Sequence, residues 1–215
     1  MSDICIIVPA YNEDKTIVSV INELQGFKDW DVVVVDDGSK VNLKDKLDIY
    51  NNVHVIRHKR NLGYENALNS GFDYAIANNY GIIATYDSDG QFFCSDLKKL
   101  VDLLIYEKAD IVVGIRSNKN RFAELIISFL SFLFFKVNDP LCGMKIYNAQ
   151  SIGKFMPFDT HKLIGMEVLF RSIKEGLKVV NMNVNIKPRK DESRYSQSIM
   201  GEWRMLLKYI KASLL

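Results

Sequence analysis

A chain of 215 residues is long enough for one domain with a sizeable core. Its 48% hydrophobic and 25% charged content is that of a folded globular protein, and a net charge of +2 gives no electrostatic case for a nucleic-acid partner. The three cysteines, Cys5, Cys94 and Cys142, include no Cys-x-x-Cys pair; this argues against a disulfide framework and a zinc site and for a reducing, cytosolic setting.

Met1 to Asp3 show no secretory leader and run into an apolar strand over residues 4–8, closed by Pro9. Ile17, Val20, Ile21 and Leu24 then recur at helical spacing. Four valines over 32–35 form a second strand, stopped by Asp36-Asp37-Gly38-Ser39. A charged, loosely helical stretch over 43–50 leads to a third strand over 53–56. A helix over 64–77, a strand over 82–86, a helix over 95–106 and a strand over 111–114 come next.

Short, almost wholly apolar strands separated by helices predict an α/β fold, a mostly parallel central sheet with helices on both faces. Crossovers in such a sheet are right-handed, and its ligands bind beyond the carboxyl ends of the strands. The residues just after each strand are therefore the ones that matter. They are Tyr11-Asn12-Glu13, Asp36-Asp37-Gly38-Ser39, the segment 57–63, and Asp87-Ser88-Asp89-Gly90-Gln91. Any one of these is also an ordinary turn composition. Four of them on one edge predict a site rich in carboxylates.

Asp87 and Asp89 lie two residues apart at a strand end, so both side chains can face one point. Without a counter-charge they repel each other and resist burial. A hard divalent cation, Mg²⁺ or Mn²⁺, removes that repulsion and takes its remaining ligands from water and substrate phosphates. Such a cation suits a diphosphate leaving group, on which negative charge grows as the bond breaks.

Farther along, residues 122–135 hold Phe122, Phe129, Phe132, Phe134 and Phe135 among other apolar side chains. The polar residues Glu124, Ser128 and Ser131 make one narrow stripe. The helix is too short to span a bilayer, which takes about 20 apolar residues. It is a core helix, a dimer contact or a membrane-interface helix, with Arg116, Lys119, Arg121 and Lys136 flanking it. Residues 203–215 are likewise amphipathic and basic. His54, His58 and His161 are read as satisfied surface or strand histidines.

Taken in order, Val8-Pro9-Ala10-Tyr11-Asn12-Glu13, Val35-Asp36-Asp37-Gly38-Ser39, Asn61-Leu62-Gly63 and Asp87-Ser88-Asp89-Gly90-Gln91 resemble the motifs of family 2 glycosyltransferases. Val113-Gly114-Ile115-Arg116 resembles the G-x-R after the fifth strand of that family. Asp139-Pro140-Leu141-Cys142-Gly143-Met144-Lys145 resembles a segment of the dolichol- and polyprenyl-phosphate mannose synthase and glucosyltransferase group. The resemblance runs from about Ile4 to Arg194. It implies a single GT-A, Rossmann-like domain over 1–215, with 121–136 a membrane-interface or dimer helix and 198–215 a C-terminal amphipathic helix.

The resemblance also implies roles. Pro9, Tyr11, Glu13 and Asp37 surround the nucleotide, and Asp36 joins them or serves the fold. Asp87, Asp89 and Gln91 bind or flank the metal, and Glu167 lies near the sugar. Arg189, Ser193 and Arg194 resemble a loop that closes on the diphosphate, although its spacer here carries Asp191 and Glu192 in place of a glycine. The donor is a UDP- or GDP-sugar and the reaction inverts the anomeric centre.

An ionised polyprenyl (undecaprenyl or dolichyl) phosphate acceptor needs no base, only cations such as Arg116, Arg121 and Lys145 to align it. A glycan hydroxyl, as in cell-surface polysaccharide synthesis, needs a carboxylate base, for which Asp139 is the leading choice. Asp139 equally suits pairing with a nearby cation or capping the turn before Pro140. A non-catalytic nucleotide-sugar-binding subunit is the alternative of another class. The chain is expected at the cytoplasmic face of a membrane as a peripheral protein, with a homo-oligomer left open.

Overall fold

Val32, Val33, Val34 and Val35 are each fully buried, as a strand covered on both faces requires. In the computed structural model, which describes residues 3–119, 121–188 and 199–215, they belong to the second strand of a seven-stranded sheet. In chain order the elements are β1 (Ile4–Ala10), α1 (Ile17–Leu24), β2 (Asp31–Asp36), α2 (Lys44–Leu47), β3 (Val53–Arg57) and α3 (Tyr64–Ala77). Then come β4 (Ile82–Thr85), α4 (Cys94–Glu107), β5 (Ile111–Arg116), α5 (Phe122–Phe135) and β6 (Lys145–Asn148). A short α6 (Ala149–Ile152), a 3₁₀ turn (Gly153–Phe155), α7 (Met166–Lys174), β7 (Val179–Val184) and α8 (Ile199–Leu214) complete the chain.

The strands lie in the order β3-β2-β1-β4-β6-β5-β7. β6 runs antiparallel to both β4 and β5, and the other pairings are parallel. Side chains alternate across the sheet, as a period of two dictates. Val33 and Val35 join Ile7, Phe72 and Phe170 in one core. Val32 and Val34 join Ile6, Leu24, Leu97 and Val101 in the other. The mostly parallel sheet expected from the sequence is thus present.

The structure extends the sequence reading in three places. Pro9 lies inside β1 rather than ending it, because pairing with β4 stops at Ile7. The side of Pro9 that lacks an N–H therefore faces no strand, and its carbonyl accepts the Ser88 hydroxyl at 2.7 Å. β6, β7 and α7 were not anticipated. β6 is only four residues long, and β7 alternates valine with asparagine at the open edge of the sheet. Finally, the polar stripe of α5 faces inward. Ala123, Ile127 and Ser131 are buried, while Phe122, Leu125, Phe129, Phe132, Leu133 and Phe134 are exposed.

α8 packs against both α5 and α7. Glu202 accepts the backbone N–H of Ala123 at 2.6 Å, and Lys208 reaches Glu65 of α3 at 3.1 Å. Its outer side exposes Trp203, Leu207 and Ile210. Among the described residues no helix is long and apolar enough to cross a membrane.

The β4–β6 junction is stapled by one buried hydroxyl. Thr85 donates to the Gly143 carbonyl at 2.7 Å and accepts from the Lys145 backbone N–H at 3.2 Å. Thr85→Val keeps the shape but strands both groups, and is expected to lower unfolding stability by about 1–3 kcal/mol. Denaturant melts measure this, and an unchanged midpoint would show that the staple contributes nothing.

Candidate active site

All the parallel strands end on one edge, and the antiparallel β6 begins there, so the ends of β1, β2, β4 and β5 and the start of β6 are brought together. The loop after β4 is pinned from several sides. The Tyr86 hydroxyl donates to the Phe92 carbonyl at 2.8 Å, and the Tyr86 backbone N–H donates to Ile7 at 3.0 Å. The Ser88 bond to Pro9 ties the loop to β1. Asp87 and Asp89 are held between these ties, with Tyr64 donating to Asp87 Oδ1 at 3.2 Å and the Gln91 N–H to Asp89 Oδ1 at 3.1 Å.

Gly143 presses on Asp87 so closely that a Cβ there would overlap the carboxylate. Burial, and then the charge of Asp89, push Asp87 up to a pKa of about 6, against the opposing pull of Tyr64, Arg116 and Lys145. Lys145 is buried and donates through Nζ to the Cys142 carbonyl. Burial lowers its pKa, and the nearby acidic groups Cys142, Asp139 and Asp87 oppose that fall.

Arg116 projects from the end of β5. Its Nε and Nη2 donate to the two oxygens of Asp139 at 2.8 and 3.0 Å, a bidentate pair. Burial would lower the Arg116 pKa, but the Asp139 hydrogen bonds and charge raise it above the ordinary value. Both Asp139 oxygens are engaged in this pair.

Asp36 ends β2 and Asp37 follows it, beside the end of β3. Asp36 is fully buried and accepts from Arg57 Nη1 and from the Ser39 N–H, each at 2.9 Å. Asp37 accepts the backbone N–H groups of Leu62 and Gly63, each at 2.8 Å, and lies 2.7 Å from His58 Nδ1. Gly38 has φ +72°, and a Cβ there would strike the backbone of Arg60 and Asn61. The Asn12 N–H donates to Ser39 Oγ at 2.9 Å, which links the β1 loop to the β2 loop.

An open cleft runs along this edge. Of the residues singled out in the sequence, Pro9, Glu13, Asp87, Asp89, Gln91, Arg116 and Arg121 line it. Tyr11, Asp36, Asp37, Asp139 and Lys145 stand outside its wall, the last two behind Arg116 and Asp87. Glu167 is not in the wall either. Its carboxylate accepts the Thr160 and His161 N–H groups at 2.8 and 3.1 Å and the Thr160 hydroxyl at 2.7 Å, so it shapes the loop before α7. Arg189, Ser193 and Arg194 lie outside the described residues.

Tyr64, Ile164 and Met205 also line the cleft and had not been singled out. Tyr64 directly follows Asn61-Leu62-Gly63 and could have been found from that position. Ile164 and Met205 come from far along the chain and carry no local signal. Among the described residues no cluster of three or more His, Cys, Asp or Glu side chains could hold a metal ion. Asp87 and Asp89 could contribute at most part of a coordination shell, the rest coming from water and a bound phosphate.

The family model described as Glycosyl transferase family 2 matches residues 5–161. An uncharacterized protein of Methanocaldococcus jannaschii is 30% identical over 225 residues, covering 95% of this chain and 97% of that protein. The UDP-N-acetylglucosamine–dolichyl-phosphate N-acetylglucosaminyltransferase of Methanococcus voltae is 30% identical over 177 residues, covering 69% of this chain and 70% of that protein. Glucosyl-3-phosphoglycerate synthase from Mycobacterium tuberculosis, in complex with Mn²⁺, uridine diphosphate and glucosyl-3-phosphoglycerate, aligns with a TM-score of 0.76. That likeness spans 99% of this chain and 80% of the other at 17% identity, and is one of fold.

The elevated pKa of Asp87 has a measurable consequence in the ligand-free protein. The folded state holds this proton more tightly than the unfolded chain, so the contribution to stability is lost as the pH rises through about 6. Asp87→Asn, which stays uncharged, is expected to melt with the wild type near about pH 4 and above it near about pH 7. Thermal melts of both proteins across that range test this, and a constant gap would refute it.

Proposed function

The chain belongs to glycosyl transferase family 2, and from that premise we propose that it moves a sugar from a nucleoside-diphosphate donor to a polyprenyl phosphate at a membrane surface. The fold is GT-A-like, in agreement with the likeness to the mycobacterial synthase. The observation that carries the acceptor is the character of the cleft. Its wall combines the charged Asp87, Asp89 and Arg116 with the apolar Leu141, Ile164 and Met205. Met205 belongs to α8 and Arg121 sits at the start of α5, and these two helices expose the apolar side chains. A phosphate joined to a hydrocarbon chain fits such a wall, and a free sugar hydroxyl gives no reason for it.

The relatives point the same way. The Methanococcus voltae protein is named for UDP-N-acetylglucosamine and dolichyl phosphate, and the mycobacterial synthase was solved with Mn²⁺ and uridine diphosphate. Asp87 and Asp89, with Gln91 beside them, are the residues that would hold Mg²⁺ or Mn²⁺. Their crowding fits a cation, since burial and then the charge of Asp89 raise the cost of ionising Asp87. When bound, the cation offsets charge on the departing diphosphate.

The chain's own residues do the rest. Pro9, Tyr11, Glu13 and Asp37 hold the nucleoside, and Asp36 holds their loop through Ser39 and Arg57. Arg116 receives the acceptor phosphate, and Asp139 fixes its guanidinium plane in advance. Lys145 adds positive charge behind the site. Because a phosphate acceptor is already ionised, no general base is needed, and Asp139 is a positioning residue. Arg121 borders the acceptor, while Arg189, Ser193 and Arg194 are assigned to the diphosphate through the family resemblance. The apolar faces of α5 and α8 dip into the bilayer interface, where the lipid substrate resides.

The reading is tested by nucleoside-diphosphate release with Mn²⁺ or Mg²⁺, a panel of UDP- and GDP-sugars, and undecaprenyl or dolichyl phosphate in detergent. Release is expected to require the lipid phosphate and to fall at least about a hundredfold in Asp89→Ala. Release indifferent to the lipid would move the acceptor to a hydroxyl, and binding without turnover would point to a non-catalytic role.

Phe129 is 67% exposed on α5. Phe129→Glu is expected to abolish co-sedimentation with anionic phospholipid vesicles while leaving the circular dichroism spectrum unchanged. Undiminished vesicle binding would remove α5 from the membrane contact.

A further inference from the structure

Asp37, His58 and Ser70 form a line of side-chain contacts that ends away from the cleft. His58 Nδ1 lies 2.7 Å from Asp37 Oδ1, and His58 Nε2 lies 2.9 Å from Ser70 Oγ. The His58 and Asp37 side chains are only 10% and 4% exposed. The polarity of the line is set by its fixed end. Asp37 already accepts the N–H groups of Leu62 and Gly63, so it is the acceptor toward His58 as well. Nδ1 of His58 therefore donates. In the neutral ring Nε2 is left to accept the Ser70 hydroxyl proton.

An acid, a histidine and a serine in line also describe a nucleophilic triad, but Ser70 is absent from the cleft wall and projects from the middle of α3. The contacts suit a mechanical role. The Leu62 and Gly63 N–H groups hold one Asp37 oxygen each, Oδ1 and Oδ2, and His58 adds a third contact, on Oδ1, against rotation of the carboxylate. His58 opposes that rotation, and its other nitrogen is anchored to a long helix rather than to another loop. The neighbouring residue is used in the same way, since Arg57 grips Asp36. The acidic pair ending β2 is thus held by the basic pair ending β3.

We propose that His58 is a positioning residue for donor recognition. It fixes the Asp37 carboxylate, with the Leu62 and Gly63 N–H groups bound to it, in the orientation that receives the nucleoside. The proposal rests on the reading of Asp37 as a nucleoside contact.

The test measures binding of UDP and of GDP by calorimetry, together with donor KM and kcat, in the full-length wild type and four variants. The variants are His58→Ala, His58→Asn, Ser70→Ala and Asp37→Asn. In His58→Ala, donor KM and nucleotide Kd are expected to rise about tenfold while kcat changes less than about twofold. His58→Asn, whose amide nitrogen can stand where Nδ1 stood, is expected to recover most of that loss. Ser70→Ala is expected to raise donor KM about twofold to threefold, and it decides the matter if His58→Ala fails to fold.

Weakened nucleotide binding in Asp37→Asn with none in His58→Ala would overturn the His58 role alone. Equal losses in His58→Ala and His58→Asn would reduce the ring to packing and overturn it too. Wild-type binding in Asp37→Asn would instead remove the nucleoside contact, and the proposal with it.

Discussion

Burial of Asp87 beside the charge of Asp89 is the constraint to which the neighbouring groups respond. The two carboxylates follow the buried strand β4, and burial, then the Asp89 charge, makes ionisation of Asp87 costly. The protein meets this with nearby cations, Lys145 on β6 and Arg116 on β5. Tyr64 adds a donor from α3, and Gly143 lets the chain pass close enough to hold Asp87 in place. Arg116 is in turn bound through Nε and Nη2 by Asp139, so part of its charge is already spoken for. Burial lowers the pKa of Lys145 and raises that of Asp87, so both shifts report the cost of holding charge in this desolvated setting. A bound divalent cation, as proposed, would relieve it from the cleft side.

The edge formed by Asp36 and Asp37 is governed by hydrogen bonding more than by net charge. Asp36 and Asp37 point to opposite partners, one toward Arg57 and Ser39, the other toward His58 and the backbone at residues 62–63. Parallel pairing with Asp36 beside Arg57 makes both sets of bonds available at once. A one-residue slip in that register would break the pairing of Asp36 with Arg57. The packing of apolar strands that fixes the register therefore also fixes the polar loops beyond it.

Much of this edge could be read from the sequence, for a physical reason. Parallel strands buried on both faces leave continuous apolar runs, and the residues that come after each run must lie at the ligand edge; Asp36 and Asp87 were located in that way, and Arg116 through the family resemblance. The rest was hidden where local pattern and tertiary use diverge. β6 was missed because Lys145-Ile146-Tyr147-Asn148 is too short to show a period. β7 was missed because alternating valine and asparagine at an open edge resembles a loop. Glu167 was placed near the sugar by a loose likeness, whereas its oxygens are used by Thr160 and His161. The orientation of α5 could not be inferred, because a polar stripe normally faces solvent and here Ser131 is buried.

The reversed direction of β6 has an evolutionary side. β5 ends at the active edge and β6 starts there, so the whole of residues 117–144 departs from that edge and returns to it. No crossover along the back of the sheet is needed. Changes of length in this excursion leave the β5–β6 register alone, and those beside Arg121, Glu124, Leu141 or Gly143 change what borders the cleft. Under the proposed function, acceptor preference would diversify there while the Asp36–Asp37 half of the sheet keeps its register.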